Sequence, residues 1–374
     1  MEKASNRRSF VKKALALTSS AVIASKFGYA AQQRKPIEKK LKNITALGFQ
    51  WGTKDPFLFC VHHEDDYPRG NEQMGPTANL EGRELGQDFM LKDGFRMYHG
   101  TTVPGFPGHP HRGFETITIV RKGMVDHSDS LGAAGRYGNG DVQWMTAGGG
   151  VLHAEMFPLL KKDHRNPLEL FQIWLNLPAK NKMVEPHFKM LWNEDLPKET
   201  YTDSSGHKTL IEVVTGKYGL AKAPTPPPNS WAADAANDVA IYNIRMEANA
   251  TFKLPKTTAN INRTLYFYEG NELLIDGQSL PHYHSAEVKS DEDLVLKSGK
   301  DISHILVLQG KPIGEPVVKH GPFVMNNRQE IQQAFQDYQR TKFGGWPWNN
   351  LANVHPRNKG RFAKHANGKL EERG

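Results

Sequence analysis

The chain has 374 residues, enough for two domains of ordinary size, and its hydrophobic fraction of 38% and charged fraction of 24% are typical of a soluble globular protein. The formal net charge is +8, but residues 1–30 hold six Lys or Arg and one acid, so the rest of the chain carries only +3. That excess gives no electrostatic support to nucleic-acid binding. The single cysteine, Cys60, excludes a disulfide within the chain, and its apolar neighbours predict a buried, inert thiol.

The first thirty residues resemble a bacterial export signal. Residues 6–12, NRRSFVK, resemble a twin-arginine motif, with Asn6 where Ser or Thr is more usual. The apolar stretch at 14–24 is too short to anchor the chain across a bilayer, and residues 28–30 are suited to cleavage. We therefore expect export by the twin-arginine route to the periplasm or cell envelope of a bacterium, with no membrane span in the mature chain. The alternative is a chance basic amphipathic terminus.

Residues 31–43 are polar and basic, which predicts a tether ahead of the first domain. From Thr45 the pattern changes to short apolar runs between Gly, Pro and Asp. The segment ETITIVRKG alternates apolar and polar residues as a half-buried strand does, and LELFQIWLNLP and TLIEVVTG predict further strands. Many short strands with few helical stretches favour sandwich or barrel domains.

Two short segments, GHPHRGFET and QWMTAGGGVLHAEMF, each hold two potential metal ligands at positions i and i+2. The ligands are His109 and His111 in the first segment and His153 and Glu155 in the second. Residues i and i+2 of a strand point to the same face, so two such strands would offer three imidazoles and one carboxylate to one ion. This donor set favours Fe, Mn, Ni, Cu or Zn over Mg or Ca. The alternative is a set of unrelated polar positions in a β-rich chain.

Three consecutive glycines, Gly148 to Gly150, precede His153. A phosphate-binding loop needs a helix N-terminus after its glycines, whereas the residues that follow here continue as a strand. We therefore predict a tight turn that delivers His153. The sequence contains no Gly-x-Ser-x-Gly or paired-cysteine motif, so it gives no support to hydrolase or thiol chemistry.

HPHRGFET followed by GDVQWMTAGGGVLHAEM resembles the pirin family, a bicupin branch of the cupin superfamily. FQIWLNL, KMVEP and GKPIGEPVVKHGPFVMNNRQEIQQAFQDYQ resemble pirin segments in the same order, so the resemblance covers roughly residues 47–345. It implies an all-β fold of two cupin-type jelly-roll barrels in tandem, with metal in the first barrel only. It also implies that the four residues named above are the metal ligands. Glu115, the glutamate of the general cupin pattern, then becomes a candidate beside the ligands or the substrate.

The resemblance places the crossover between the barrels near residues 179–186, whereas composition alone would place a linker at the proline-rich segment 223–229. We follow the resemblance, because KMVEP matches in place and makes TLIEVVTG an early strand of the second domain. The predicted domains are an N-terminal cupin domain over 44–182 and a C-terminal cupin domain over 183–345.

The C-terminal domain is predicted to end in a helix over NRQEIQQAFQDYQRTKFG. Asn327 can cap this helix, and Ile331, Phe335 and Tyr338 fall on one face. Residues 346–374 are polar and basic, with too few apolar residues to build a core of their own, so we predict a disordered tail.

Two further clusters contain residues of the ligand type. The segment from His62 to Asp66 predicts a solvated acidic loop, with the alternative that it forms part of the rim over the metal pocket. His282 and His284 form a second HxH pair, but the same spacing to a partner pair would reach Met325 and Asn326, which are not ligands. We therefore predict a second barrel without metal, in agreement with the pirin resemblance.

Three His and one Glu leave an octahedral ion two open positions, as a catalytic rather than a structural metal requires. Pirins of this type resemble quercetin 2,3-dioxygenases, which implies an Fe(II) enzyme that opens a flavonol or related phenolic ring with O₂. Mn, Ni, Co, Cu and Zn remain open as the metal. Glu155 or Glu115 is the candidate general base, and Phe114, Trp144 and Met145 are either pocket walls or ordinary core.

We expect the chain to be a monomer. Two functions other than an oxygenase stay open for it. Some pirins act through protein partners as transcriptional co-regulators or metabolic modulators, with iron as a redox switch. Export would separate this chain from such cytoplasmic partners but leaves a partner in the envelope open. The other alternative is a metal-binding or small-ligand binding protein of the cell envelope without turnover.

Overall fold

The computed structural model describes residues 40–374, so the expected export signal and most of the expected tether lie outside the described residues. Within this range the chain is mostly β, and its strands are, in order: β1 Leu41–Ala46, β2 Gln50–Trp51, β3 Phe57–Tyr67, β4 Gly105–His111, β5 Phe114–Lys122, β6 Met124–Asp129, β7 Ala134–Gly138, β8 Val142–Thr146, β9 Val151–Met156, β10 Asn166–Asn176, β11 His187–Leu191, β12 Lys198–Thr202, β13 Lys208–Thr215, β14 Lys217–Tyr218, β15 Ala221–Lys222, β16 Ala240–Met246, β17 Thr251–Leu254, β18 Asn262–Glu269, β19 Leu273–Ile275, β20 Gln278–Leu280, β21 His284–Val288, β22 Leu294–Ser298, β23 Ser303–Gly310, β24 Val318–His320, β25 Phe323–Met325, β26 Arg361–Lys364 and β27 Leu370–Arg373. Helix α1 spans Arg328–Thr341, and short 3-10 helices span Ala179–Asn181, Asn193–Asp195, Trp231–Ala233, Ala235–Asn237 and Lys342–Gly344.

The first barrel is formed by two six-stranded sheets. One sheet has the strand order β11-β8-β5-β10-β3-β2, and the other has the order β27-β26-β7-β6-β9-β4. Apolar side chains from both sheets meet inside the barrel, among them Val120 and Leu170 from the first sheet and Val125 and Tyr137 from the second. Burial of this shared interior holds the two sheets together.

The second barrel is formed by a seven-stranded sheet, β1-β21-β18-β23-β16-β13-β12, and a four-stranded sheet, β17-β22-β19-β20. Its interior joins Tyr242 and Leu265 of the larger sheet to Phe252 and Leu296 of the smaller one. The proline-rich segment 223–229 follows β15 and precedes β16, so it is a loop of this barrel, as the resemblance implied. Two cupin-type barrels in tandem confirm the predicted all-β fold class.

The six-stranded sheet that contains β5 and β10 packs against the seven-stranded sheet of the second barrel. Ile117 and Phe171 from the first barrel share one buried cluster with Ile241 and Leu306 from the second. Strand β5 is therefore covered on both faces, and its first seven residues are buried. The expectation of a half-buried strand there was wrong, because Ile117 and Ile119 pack against the second barrel while the face that carries Thr118 is enclosed inside the first barrel.

The chain crosses between the barrels at both ends. Strand β1 pairs with β21 of the second barrel, so the tether predicted to reach residue 43 already belongs to a strand from Leu41. Strand β11 pairs with β8 of the first barrel, so this barrel extends to Leu191 and the predicted boundary after residue 182 lies too early. Both errors have one cause, since strand pairing between segments distant in the chain leaves no local signal in the sequence.

The predicted disorder of residues 346–374 was also wrong. Strand β26 adds to the edge of β7 and pairs with β27, and Phe362 and Ala363 are buried there. The guanidinium of Arg136, paired with Asp126 at 2.7 Å, donates to backbone carbonyls of this segment, including that of His355 at 2.9 Å. The segment is ordered because an existing sheet edge and a buried ion pair supply its partners, so it needs no core of its own.

Helix α1 follows the second barrel as predicted. The Asn327 side chain accepts a hydrogen bond from the backbone N–H of Glu330 at 2.9 Å, which caps the first turn. Ile331 is buried, and Phe335 and Tyr338 pack around Phe323. No helix within residues 40–374 is both long and apolar enough to cross a membrane.

Candidate metal centre

The two segments with HxH and HxE patterns form neighbouring strands of one sheet. Strands β4 and β9 are antiparallel, and their register places His109 directly opposite His153. His111 lies two residues after His109 on the same face, and Glu155 lies two residues after His153. The strand periodicity predicted from the sequence therefore brings these four side chains to one face of the sheet.

A glycine turn carries the chain from β8 into β9. Gly148 has φ +48° and Gly150 has φ +135°, both in the region that side chains rarely adopt. A Cβ atom on Gly148 would also lie 2.1 Å from the carbonyl oxygen of Val184. This turn sets the start of β9 and so the position of His153, which confirms the predicted role of the three glycines.

The three histidines form a compact cluster. Their potential ligand nitrogens lie within 4.8 Å of one another, and the ring centroids of His109 and His153 are 4.4 Å apart. The Nδ1 atom of His109 donates to the Pro107 carbonyl oxygen at 3.0 Å, which leaves Nε2 unprotonated and free to bind a metal. Both nitrogens of the fully buried His153 ring lack a hydrogen-bond partner, and a metal bond would satisfy one of them.

Burial also keeps these imidazoles neutral. It lowers the pKa of His109 to about 4, and it lowers the pKa values of His111 and His153 well below the ordinary range. A metal binds the unprotonated imidazole, so the three rings carry the protonation state that a ligand needs at neutral pH. The residues present therefore fit one first-row transition metal ion, and the cluster could bind it.

Glu155 lies at the edge of this cluster. Its Oε2 atom is 3.9 Å from Nε2 of His153 and accepts a hydrogen bond from the Gln172 amide at 3.2 Å. Oε1 lies 2.9 Å from the hydroxyl of Thr118. Burial raises the pKa of the Glu155 carboxyl, and its polar neighbours oppose that rise. The carboxylate is thus held beside the imidazoles by side chains of the opposite sheet.

The histidine cluster opens into a cavity of about 250 Å³. Most of its wall is aromatic or aliphatic, and its polar groups come from the ligand strands and from the strands opposite. The lining consists of Phe49, Gln50, Phe59, Val61, His63, Phe89, His99, Phe106, His109, His111, Thr118, Glu155, Phe157, Leu170, Gln172 and Trp174. An apolar cavity with a few convergent polar groups is the usual form of a small-molecule site.

The sequence analysis did not predict several residues of the cavity wall. Phe89 and His99 belong to the segment 68–104, which joins β3 to β4 through turns and isolated bridges. The one feature of the sequence that could have indicated a role for this segment is that it is long and has no strand periodicity. Long connections of this kind in compact domains often carry function. His63 also lines the cavity, from within β3. The solvated acidic loop expected at His62–Asp66 was therefore wrong, and its alternative as part of the pocket wall holds for His63.

Glu115 does not share the cavity. It points to the face of β5 opposite Thr118, where Thr146 donates to Oε1 at 2.7 Å and Ser230 of the second barrel donates to Oε2 at 2.5 Å. Burial raises the pKa of the Glu115 carboxyl to about 7. The expectation that Glu115 acts beside the metal or as general base is wrong, because alternation along β5 turns it into the interface between the barrels.

Of the three residues proposed as pocket walls or core, Trp144 lies in the cluster between the barrels and Met145 packs with Ala147 and Val151. Phe114 supports the site from behind, with its ring centroid 5.0 Å from that of His111. The reading of these residues as ordinary core is confirmed for the first two.

Two family models match the chain, one within the first barrel and one within the second part of the chain. The Pirin model matches residues 70–175, and the model of the Pirin C-terminal cupin domain matches residues 241–344. Pirin from Homo sapiens is 35% identical over 263 residues, which span 68% of this chain and 82% of the human protein. The chain belongs to the pirin family.

Other pirin relatives carry an enzyme name. A Pseudomonas aeruginosa protein named "Putative quercetin 2,3-dioxygenase" is 36% identical over 243 residues, which span 64% of this chain and 79% of the relative. The crystal structure of a quercetin 2,3-dioxygenase from Acinetobacter baumannii superposes with a TM-score of 0.64 at 25% identity. That alignment covers 82% of this chain and 98% of the Acinetobacter protein.

All four predicted ligands fall inside the match to the Pirin model, whereas residues 346–374 lie beyond both matches. The HxH pair of the second barrel makes a local contact instead, because Nδ1 of His284 lies 2.9 Å from the carbonyl oxygen of His282. The cluster of His109, His111 and His153 is the one group of potential metal ligands recognised within residues 40–374. A metal-free second barrel stays a prediction.

Proposed function

We propose that this pirin is an iron-dependent dioxygenase of the quercetin 2,3-dioxygenase type, which opens a flavonol or related phenolic ring with O₂. The observation that carries the proposal is that His109 and His111 of the histidine cluster, together with Glu155, line an aromatic-walled cavity. A closed structural site would have no such access. The names of the Pseudomonas and Acinetobacter relatives support the same activity.

In this proposal His109, His111 and His153 hold the ion, and Glu155 is the fourth ligand. When bound, the iron supplies Lewis-acid polarisation of the substrate oxygens and redox chemistry. Glu155 needs only a small shift to join the histidines, since its carboxylate already lies 3.9 Å from Nε2 of His153. Thr118 and Gln172 hold that carboxylate in place from the opposite sheet.

The chain itself supplies binding and a proton acceptor. Phe106, Phe157 and Trp174 line the cavity with ring faces and edges that suit a flat aromatic substrate. Glu155 is the carboxylate within the cavity, so it takes the proton of the hydroxyl group that approaches the ion. Glu115 has no part in this step.

The test is O₂ consumption by the iron-loaded protein with quercetin under controlled oxygen, followed with an oxygen electrode. We expect uptake that a chelator stops and that the variant His153→Ala lacks. An absence of uptake with iron, manganese, cobalt, nickel and copper across a panel of flavonols and catechols would contradict the proposal. Retained flavonol binding without turnover would instead favour a binding protein or a redox-sensitive partner of the cell envelope.

We also propose that residues 1–30 direct export through the twin-arginine route. The support is the NRRSFVK motif and the short apolar stretch after it. This route carries folded proteins, so an exported metal site would be assembled before it crosses the membrane.

A further inference from the structure

A buried chain of hydrogen bonds ends at the wall of the cavity. Nδ1 of His63 lies 2.8 Å from the Tyr98 hydroxyl, and that hydroxyl donates to Oδ2 of Asp65 at 2.6 Å. The other carboxylate oxygen, Oδ1, accepts from the backbone N–H of Arg96 at 2.8 Å and lies 3.1 Å from its guanidinium. All members of the chain lie on β3 or on the long segment that follows it.

The protons in this chain can be assigned from its donors and acceptors. Asp65 faces a guanidinium and accepts hydrogen bonds on both oxygens, as an ionised carboxylate does. The single proton of Tyr98 is therefore committed to Asp65, and its oxygen can only accept from His63. This requires the proton of the His63 ring on Nδ1, so Nε2 carries a lone pair.

That lone pair has no partner in the described part of the chain. Nε2 of His63 makes no hydrogen bond with residues 40–374, and the ring lines the cavity. Burial and the nearby Arg96 lower the pKa of His63 to about 3, so the ring stays neutral. Nε2 faces the cavity, so its partner must come from whatever occupies that cavity, and a ligand that donates a hydrogen bond to it among apolar walls gains more than it would at an exposed acceptor.

We propose that His63, held in one tautomer by Tyr98 and Asp65, positions the substrate by accepting a hydrogen bond from a neutral hydroxyl group remote from the metal-binding end. This inference rests on the proposed phenolic substrate and adds a specificity to it. Phenols with a second, free hydroxyl are preferred over their ethers, because a methylated or glycosylated oxygen has no proton to donate.

His99 supplies a matched control on the same cavity. Its Nδ1 atom donates to the carbonyl oxygen of Gly86 at 2.7 Å, which also leaves a lone pair on Nε2. His99 is exposed, however, whereas His63 is 4% exposed. Water already satisfies an exposed acceptor, so a ligand hydroxyl gains little there.

The experiment measures anaerobic binding of two flavonols to the zinc-loaded chain by fluorescence titration. Quercetin and 3-hydroxyflavone both carry the 3-hydroxyl, so their contacts with the metal are matched and only quercetin has remote hydroxyls. We expect the preference for quercetin to fall roughly tenfold in His63→Phe and to change less than about twofold in His99→Phe. Tyr98→Phe, which frees the tautomer, should lower the preference to an intermediate extent.

A second measurement needs no variant. Nitrogen-15 NMR of the histidines should show Nε2 of His63 unprotonated, and its signal should shift with phenol but not with anisole. A proton on Nε2, or an unchanged flavonol preference in His63→Phe, overturns the inference. Failure of the proposed function is distinguishable, because it removes O₂ uptake and leaves the phenol and anisole comparison intact. Equal response to phenol and anisole overturns the inference whether or not any flavonol is turned over.

Discussion

The backbone N–H of Gly108 donates a 2.8 Å hydrogen bond to the carbonyl of Leu351, and this ties the C-terminal segment to the residue before the metal-ligand candidate His109. The Leu351 side chain packs over Gly108, where a Cβ atom would lie 2.6 Å from its Cδ2 atom. The Trp348 indole N–H donates at 2.8 Å to the Asp129 carbonyl on β6, the strand that pairs with β9. The segment thus braces the sheet that carries the histidines.

Removal of this brace should weaken the metal site. Truncation after Gly345 leaves the edge of β7 uncovered and deprives Arg136 of its carbonyl partners, for a cost of roughly 3 kcal/mol or more. We expect a lower melting temperature and reduced metal content by mass spectrometry. The control is truncation after His365, which keeps β26 and every contact to Arg136. Equal metal content in both truncated proteins would contradict this prediction.

The ligand strands could be predicted from the sequence because their information is local. An HxH or HxE pattern on a strand places both side chains on one face, and a glycine turn next to His153 marks where that strand begins. The four ligand candidates then come together if the two strands lie side by side in one sheet. The cap of helix α1 by Asn327 was predictable for the same reason, since the residues involved are three positions apart.

Other features depend on distant partners, which a single sequence does not display. Residues 346–374 are ordered by Arg136 and the edge of β7, more than two hundred positions earlier in the chain. Tyr98 contacts His63 through a segment without strand periodicity. Glu115 was misplaced for another reason, since it lies on the face of β5 that carries Ile117 and Ile119 and packs against the second barrel. The pattern of β5 alone does not tell which of its two faces lines the cavity.

The histidine cluster predicts a single metal that depends on His153. The variant His153→Ala should lower the metal content from about one ion to below about one-tenth of an ion per chain, because it removes the ring that lies beside each of the other three ligand candidates and leaves them placed around a missing donor. The barrel should stay folded, since the ring makes no hydrogen bond that the substitution would break. His284→Ala in the second barrel is the control and should leave metal content unchanged. Full metal retention in His153→Ala, measured by mass spectrometry, would refute the assignment.

The position of Glu115 predicts a pH-dependent stability and no role in metal binding. Its pKa in the folded chain is about 7, above the ordinary value for glutamate, so folding favours the protonated form. Glu115 therefore stabilises the fold below about pH 4.5, and this contribution is lost as pH rises through 7. As the pH rises from about 4.5 to above 7, the free energy of unfolding of Glu115→Gln should increase relative to that of the unmodified chain, by up to about 3 kcal/mol. Its metal content should be unchanged.

Chemical denaturation at pH 4.5, 6 and 8 measures this difference. Thr146→Val is the companion variant, because it removes one of the hydroxyl donors to Glu115. It should lower the free energy of unfolding further at pH 8, where the buried carboxylate is ionised. A loss of metal or of O₂ uptake in Glu115→Gln with an unchanged fold would return Glu115 to the catalytic site.

The export proposal predicts that Arg7 and Arg8 determine both location and metal identity. Changing both to Lys should leave folded, metal-loaded protein in the cytoplasm. Directing the mature chain across the membrane unfolded should give protein with less iron and more zinc or copper, because the site would then form where the affinity order favours those ions. Mass spectrometry of the two preparations makes the comparison. Identical metal content by both routes would refute the link and leave the ligand assignment untouched.

Lys182 joins the loop after the HxH strand to β10 and to β25. Its ammonium group is buried and donates to the Gly113 carbonyl and to Oδ1 of Asn176, both at 2.8 Å, and to the Val324 carbonyl at 3.2 Å. Burial lowers the pKa of Lys182 to about 8, so folding disfavours its charged form. The sequence analysis used KMVEP, which contains Lys182, only to place the crossover between the barrels. The pattern gave no indication of the three oxygen atoms that accept from this lysine.

Lys182→Met should destabilise the chain at neutral pH by about 1–3 kcal/mol, because it leaves three buried acceptors without a donor. The sign of the pH dependence follows from the lowered pKa. Between about pH 8 and 10.5 the unfolded chain holds the lysine proton that the folded chain has lost, so this residue's contribution to stability rises with pH. The cost of Lys182→Met should therefore increase over that window. Chemical denaturation of both proteins at pH 7.5 and 10 tests this, with exposed Lys180→Met as the control, and a cost that stays constant or falls would contradict it.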